Sequence, residues 1–134
     1  MAPLIMVIED ELAILDLYQE LLTDAGYDVA LYADPQHAVA DIAWVKPDLV
    51  ILDWIFSAGE PGRGTVQQLR LHPALHGRKL LVCTGAIHHV PQFETELDAA
   101  GVSIVYKPFY NDDLLRAIRQ LLDAGDAASF TNTA

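Results

Sequence analysis

Asp48-Leu49-Val50-Ile51-Leu52-Asp53 is an aliphatic run that ends on a lone carboxylate. Strands that are hydrophobic without alternation are covered on both faces, as in parallel sheets. Three other runs read the same way and close on groups able to do ionic chemistry. Leu4-Ile5-Met6-Val7-Ile8 leads into Glu9-Asp10-Glu11, and Lys79-Leu80-Leu81-Val82-Cys83 into the hydroxyl of Thr84. Ser103-Ile104-Val105-Tyr106 leads into Lys107-Pro108-Phe109. Open parallel sheets bind ligands at the carboxyl ends of their strands. Carboxylates, a hydroxyl and an ammonium gathered there suit a divalent cation and a phosphoryl group.

Working outward, the strands expected are Leu4–Ile8, Tyr27–Tyr32, Asp48–Asp53, Lys79–Thr84 and Val102–Tyr106. Helical spacing fills the gaps. Ile14, Leu15, Tyr18, Leu21 and Leu22 share one face, with Gly26 as a C-terminal stop. Asp34-Pro35 reads as an N-cap followed by proline at the first helical position, leading to Val39 and Ile42. Thr65 to Leu71 and Val90 to Ala100 are weaker helices. The last helix is clear: Asn111 as cap, Asp112 and Asp113 in the first turn, and a core face of Leu114, Leu115, Ile118, Leu121 and Leu122. Five alternating β and α units with right-handed crossovers make a doubly wound α/β fold, (βα)5, on a parallel five-stranded sheet. Residues 1–125 form one domain, and 126–134 read as a flexible tail or linker stub.

The chain has 134 residues, 52% of them hydrophobic and 20% charged, enough for a core without staples. Its single cysteine, Cys83, lies in an apolar run and is expected to be reduced and buried. The run Leu4 to Ile8 is far shorter than a signal-peptide core or a membrane span, so a soluble cytoplasmic protein is expected. Nineteen acidic residues against eight basic ones give a net charge of −11. That balance argues against direct binding to nucleic acid or to an anionic membrane surface.

Glu9, Asp10 and Asp53 approach one another if the first and third strands are neighbours. At ~4 Å and an effective dielectric of ~20, each like-charge pair costs roughly 4 kcal/mol. A hard dication such as Mg²⁺ offsets that repulsion. Taken alone, Glu9-Asp10-Glu11 reads equally well as an acidic helix N-terminus. Asp53 shifts the balance, because packing gives little reason to end a buried strand on an acid. Lys107 alone reads as a solvated lysine before a turn, and Thr84 as a β-favouring residue at a strand end. In this strand pattern both stand beside the carboxylates, where they could meet phosphoryl oxygens.

With Glu-Asp after the first strand, Asp after the third, Thr after the fourth and Lys-Pro-Phe after the fifth, the chain resembles the receiver domain of two-component response regulators. The resemblance covers residues 4 to about 123 and implies a flavodoxin-like sheet of order 2-1-3-4-5. It implies that Asp53 is the phosphoacceptor, charged by a histidine kinase or a histidine phosphotransfer protein. It also implies Mg²⁺, or Mn²⁺ in its stead, on Asp10, Asp53 and the Ile55 carbonyl, with Glu9 reaching the ion through water. Thr84 and Lys107 would hold the phosphoryl oxygens, and Thr84 with Tyr106 would form the switch. The implied protein is a signalling switch, not a metabolic enzyme. Its output is a protein contact through the fourth helix, the fifth strand and the final helix, with room for a homodimer.

Two features depart from that pattern. The loop Trp54 to Gly64 is longer than usual, which bears on the Ile55 ligand, and Thr84 is followed by Gly85-Ala86 where alanine commonly comes first. A zinc site on His72 and His76, or on His88 and His89, has the wrong geometry, because Pro73 breaks one pair and adjacency splays the other. A haloacid-dehalogenase-type phosphatase would need a second Asp where Ile55 stands. Flavin or nucleotide binding lacks a glycine-rich or hydroxyl-rich loop after the first strand. The remaining alternative is a pseudo-receiver, the same fold used as a phosphorylation-independent interaction module.

Overall fold

The computed structural model of the chain describes residues 2–34, 37–54, 79–84, 102–107 and 109–123. Within them β1 (Leu4–Ile8), β2 (Asp28–Tyr32), β3 (Leu49–Trp54), β4 (Leu80–Thr84) and β5 (Ser103–Tyr106) form one sheet. The order is β2-β1-β3-β4-β5, and every pairing is parallel. This is the expected doubly wound sheet, with the reversal of strand order falling between β1 and β3. Three helices are described: α1 (Leu12–Asp24), α2 (Ala38–Val45) and α3 (Asn111–Asp123). The helices expected over 65–71 and 90–100, the loop after Trp54, Ile55, the four histidines from 72 to 89 and the tail lie outside the described residues.

Period-two alternation divides the strands between two cores. On one face Ile5, Val7, Leu49, Ile51, Leu81, Cys83 and Val105 meet Leu15, Tyr18 and Leu22 of α1 and Leu114, Ala117, Ile118 and Leu121 of α3. On the other, Met6, Ile8, Val50, Leu52, Val82 and Ile104 meet Ala38 and Ile42 of α2. Cys83 is fully buried, as its apolar setting suggests.

The amino-terminal edge of the sheet is pinned by a reciprocal pair. The Leu4 N–H donates to Asp48 Oδ2 at 2.7 Å, and the Asp48 N–H donates to the Leu4 carbonyl at 2.8 Å. Asp48 therefore precedes β3 instead of opening it. Lys79 likewise stands before β4, with its Nζ donating to the Leu122 carbonyl at 3.2 Å near the end of α3.

The helix ends differ in detail from the sequence reading. α2 starts at Ala38 with His37 at the N-cap position and no capping bond from the His37 side chain, while Pro35 of the expected start lies outside the described residues. In α3 the Tyr110 carbonyl accepts the Asp113 and Leu114 N–H groups, so Asn111 is the first helical residue and Tyr110 holds the cap position. α1 ends as expected before Gly26, whose φ of +94° is open to glycine at little cost. α2 ends on Lys46, which takes the left-handed conformation at φ 54°. Lys46 precedes Pro47, and the residue before a proline is steered away from right-handed helix.

Candidate functional site

The site forms because four neighbouring strands end together. The register Ile8↔Leu52, Leu52↔Val82 and Val82↔Ile104 sets a common rank across β1, β3, β4 and β5. One residue further along each chain stand Glu9, Asp53, Cys83 and Val105. The next rank carries Asp10, Trp54, Thr84 and Tyr106, and Lys107 follows. Neighbouring strands lie about 4.8 Å apart. Acids on β1 and β3, a hydroxyl on β4 and a lysine after β5 thus occupy consecutive places along one edge. The backbone positions of Glu9, Asp10, Asp53, Thr84, Tyr106 and Lys107 share that edge, and Ile55 is outside the described residues.

Two backbone links hold the β1 end. The Glu9 N–H donates to the Tyr32 carbonyl at 3.0 Å, continuing the β1–β2 ladder past Ile8. Glu9 Oε1 then accepts the Glu11 N–H at 2.9 Å, although Glu9 is only 1% exposed. Asp10, next in the chain, is exposed. The acidic run is therefore not a set of first-turn charges on α1, because Glu11 occupies the N-cap position without a side-chain cap and no acid lies in the first turn.

The donors at this edge are carboxylate oxygens, the chemistry that hard cations take. Among the described residues no three His, Cys, Asp or Glu side chains form a group able to hold a metal ion. Glu9 and Asp10 supply two of the carboxylates there. A buried carboxylate is costly to leave charged, and a cation beside it reduces that cost.

Tyr106 is half-buried against the core cluster on the α2 side of the sheet. Lys107 instead lines an open groove of about 520 Å³ between α1 and α3, with Ile14, Leu17, Leu21 and Phe109 among its walls. The sequence reading assigned Ile14 and Leu21 to the core face and gave no role to Leu17. The usable signal was the placement of Leu17, Glu20, Leu21 and Asp24 on one flank of α1 at three- and four-residue spacing.

The family model for the response regulator receiver domain matches residues 5–119, and the chain belongs to that family. It is a receiver domain of the two-component response regulator type. A curated relative, the "Probable transcriptional regulator ycf27" of Porphyridium aerugineum, is 30% identical over 96% of this chain and 51% of its own length. The "DNA-binding response regulator MtrA" of Mycobacterium leprae is 25% identical over 91% of this chain and 52% of its own. The chain spans about half the length of the curated relatives it matches. Among solved structures, the chemotaxis response regulator CheY4 of Vibrio cholerae superposes with a TM-score of 0.75 at 24% identity, covering 90% of this chain and 98% of that one. The receiver domain of the sensor histidine kinase PA1611 from Pseudomonas aeruginosa, solved with a magnesium ion in its active-site cleft, superposes with a TM-score of 0.76 at 21% identity. It covers 92% of this chain and 100% of that one. At these identities the two structures speak for the fold.

Proposed function

We propose that Asp53 accepts a phosphoryl group from a phosphohistidine on a histidine kinase or a histidine phosphotransfer protein. The observation that supports this reading is the strand register: Glu9 follows β1 just beyond the pair Ile8↔Leu52, Asp53 is the next residue of β3, Thr84 ends β4 and Lys107 follows β5. In the reaction a carboxylate oxygen of Asp53 attacks phosphorus, and an O–P bond forms while the N–P bond of the donor breaks. The electron pair leaves with the imidazole nitrogen. The nucleophile needs no deprotonation, because an ordinary aspartate is ionised at neutral pH.

Positioning and charge neutralisation supply most of the catalysis in phosphoryl transfer. Asp10 and Asp53, with the Ile55 carbonyl, are the proposed ligands of a magnesium or manganese ion, and Glu9 is a ligand through water. The bound ion would neutralise phosphoryl oxygens. Lys107 and the Thr84 hydroxyl are the proposed holders of the other phosphoryl oxygens. The magnesium ion in the active-site cleft of the Pseudomonas receiver supports a metal at this site by analogy.

The proposed output is a change of protein contacts, with Thr84 and Tyr106 as the switch and the fourth helix, β5 and α3 as the surface. Half-burial of Tyr106 suits a side chain with two packing positions and a small free-energy gap between them. Residues 1–125 are the proposed receiver unit, and 126–134 a tail or linker. The described helices include none long and apolar enough to cross a membrane.

The test is intact-protein mass after incubation with acetyl phosphate and Mg²⁺. One added phosphoryl group is expected, absent from a metal-chelated sample and from Asp53→Asn. No mass gain, with beryllofluoride leaving tryptophan fluorescence unchanged, would turn the assignment to a phosphorylation-independent interaction module.

A further inference from the structure

The two edges of the sheet are finished differently. At one edge β5 is sealed, with Ser103, Ile104 and Val105 all buried. At the other, β2 stands half-open: Val29, Ala30, Leu31 and Tyr32 are all partly exposed, although each is apolar or aromatic. Sheet edges are commonly blunted by lysine, proline or a bulge, because their outward backbone groups template further strands. β2 has none of these. It pairs with β1 residue for residue from Leu4↔Asp28 to Ile8↔Tyr32, and its one charge is Asp28 at its start.

The hydrogen bonds fix which groups face outward. The Asp28 N–H donates to the Pro3 carbonyl and the Tyr32 carbonyl accepts the Glu9 N–H, both at 3.0 Å, so these residues turn their backbone groups towards β1. Alternation along the strand turns those of Ala30 the same way and those of Val29 and Leu31 outward. Val29 and Leu31 stand symmetrically about Ala30. A second β2 added antiparallel and centred on Ala30 therefore sets Val29 against Leu31 on each side of the axis, each pair exchanging both of its N–H···O bonds. At the axis Ala30 meets its own twin, where Cα atoms approach to about 4.5 Å and a small side chain fits. The register also separates the acids, because Asp28 falls opposite the Tyr32 phenol of the second copy and not opposite a carboxylate.

We propose that the β2 edge is a homodimer interface, in which the β2 strands of two copies pair antiparallel about Ala30 and join the two sheets into one. A strand of another protein would satisfy the same backbone groups; the two-fold register about Ala30 is what selects a second copy. The contact is short, so the dimer is weak and concentration-dependent. The net charge of −11 on each copy opposes it at low salt. The interface lies at the edge of the sheet away from β5, which the proposed output surface uses, and it does not depend on the phosphoryl chemistry.

Sedimentation velocity of the whole chain over a concentration series tests this. The mean mass should rise from one chain toward two, and the dissociation constant should fall as salt is added, because screening relieves the repulsion between two acidic chains. Val29→Pro removes an outward N–H and leaves the bonds to β1, so it should weaken the dimer about tenfold or more, with circular dichroism checking its fold. Oxidative cross-linking reads the register without that variant. In a Cys83→Ala background, Ala30→Cys should form a disulfide between two copies, because a Cα separation of about 4.5 Å lies within disulfide range. Asp28→Cys should not, since its twins stand roughly 14 Å apart in this register. A monomer at every concentration overturns the proposal and leaves the edge to a strand of another protein. A dimer that cross-links equally at both positions, or at neither, also overturns it.

Discussion

Glu9 Oε1 accepts the backbone N–H of Glu11 at 2.9 Å, so a buried acid at the end of β1 also fixes the entry to α1. The Glu11 carbonyl in turn accepts the Ile14 and Leu15 N–H groups at 3.1 Å each, starting the helix. Since the Glu9 N–H is bonded to Tyr32, the acid is tied at once to β2 and to α1. A side chain bonded to one backbone N–H, on a main chain bonded to the next strand, is held in place at both levels.

Glu9→Gln tests that role. Glutamine keeps an oxygen for the Glu11 N–H and removes a buried charge whose desolvation is costly. In a chelator, the variant is expected to melt higher than the parent chain. With excess Mg²⁺ the order should reverse, because the parent gains more from the ion. Thermal unfolding in the two buffers reads both effects. A variant that melts lower in each buffer would make the Glu9 charge structural only.

The sheet was legible from sequence because its strands are continuous aliphatic runs, which only a doubly covered parallel sheet requires. The carboxyl-edge residues were legible because four of the runs break on a polar group within three residues of a common rank. The helix caps were not. Asn111 carries a strong cap signal, yet it is the first helical residue of α3 and Tyr110 holds the cap position. Packing of Leu114 and Ile118 against the sheet sets the first turn and outweighs a cap preference worth only about 1 kcal/mol. The groove was missed for a related reason. Helical spacing marks which residues share a flank of α1, but not whether a neighbouring helix stands close enough to cover them.

Lys46 is the non-glycine residue with positive φ among those described. A side chain in the left-handed region costs roughly 1–2 kcal/mol, and glycine avoids most of it. Lys46→Gly is therefore expected to stabilise the fold by up to about 1 kcal/mol after the entropy of the unfolded chain is counted. An increase in the urea midpoint at unchanged slope is the signature. A decrease would mean that the lysine side chain contributes more than its backbone strain costs.

Asp48→Ala removes the acceptor of the Leu4 N–H while leaving the Asp48 backbone bond to the Leu4 carbonyl. The lost bond is exposed, so water replaces part of it, and a destabilisation of about 1 kcal/mol is expected. Because this pair sits at the edge opposite the site, phosphoryl acceptance at saturating acetyl phosphate should not change. Chemical denaturation and intact mass, run on the same sample, separate the two effects.

Leu17 and Leu22 lie five residues apart on α1 and should respond very differently to truncation. Leu22 is fully buried between the sheet and the helix layer, and Leu22→Ala leaves a cavity costing about 2–5 kcal/mol. Leu17 is 65% exposed, and Leu17→Ala should change stability by no more than about 0.5 kcal/mol. If urea unfolding gives these values, the large side chain at Leu17 is not held there for folding. If Leu17→Ala is as damaging as Leu22→Ala, the groove is closed in solution and Leu17 belongs to the core. The comparison needs no partner and no phosphoryl donor, so it measures the face of α1 directly.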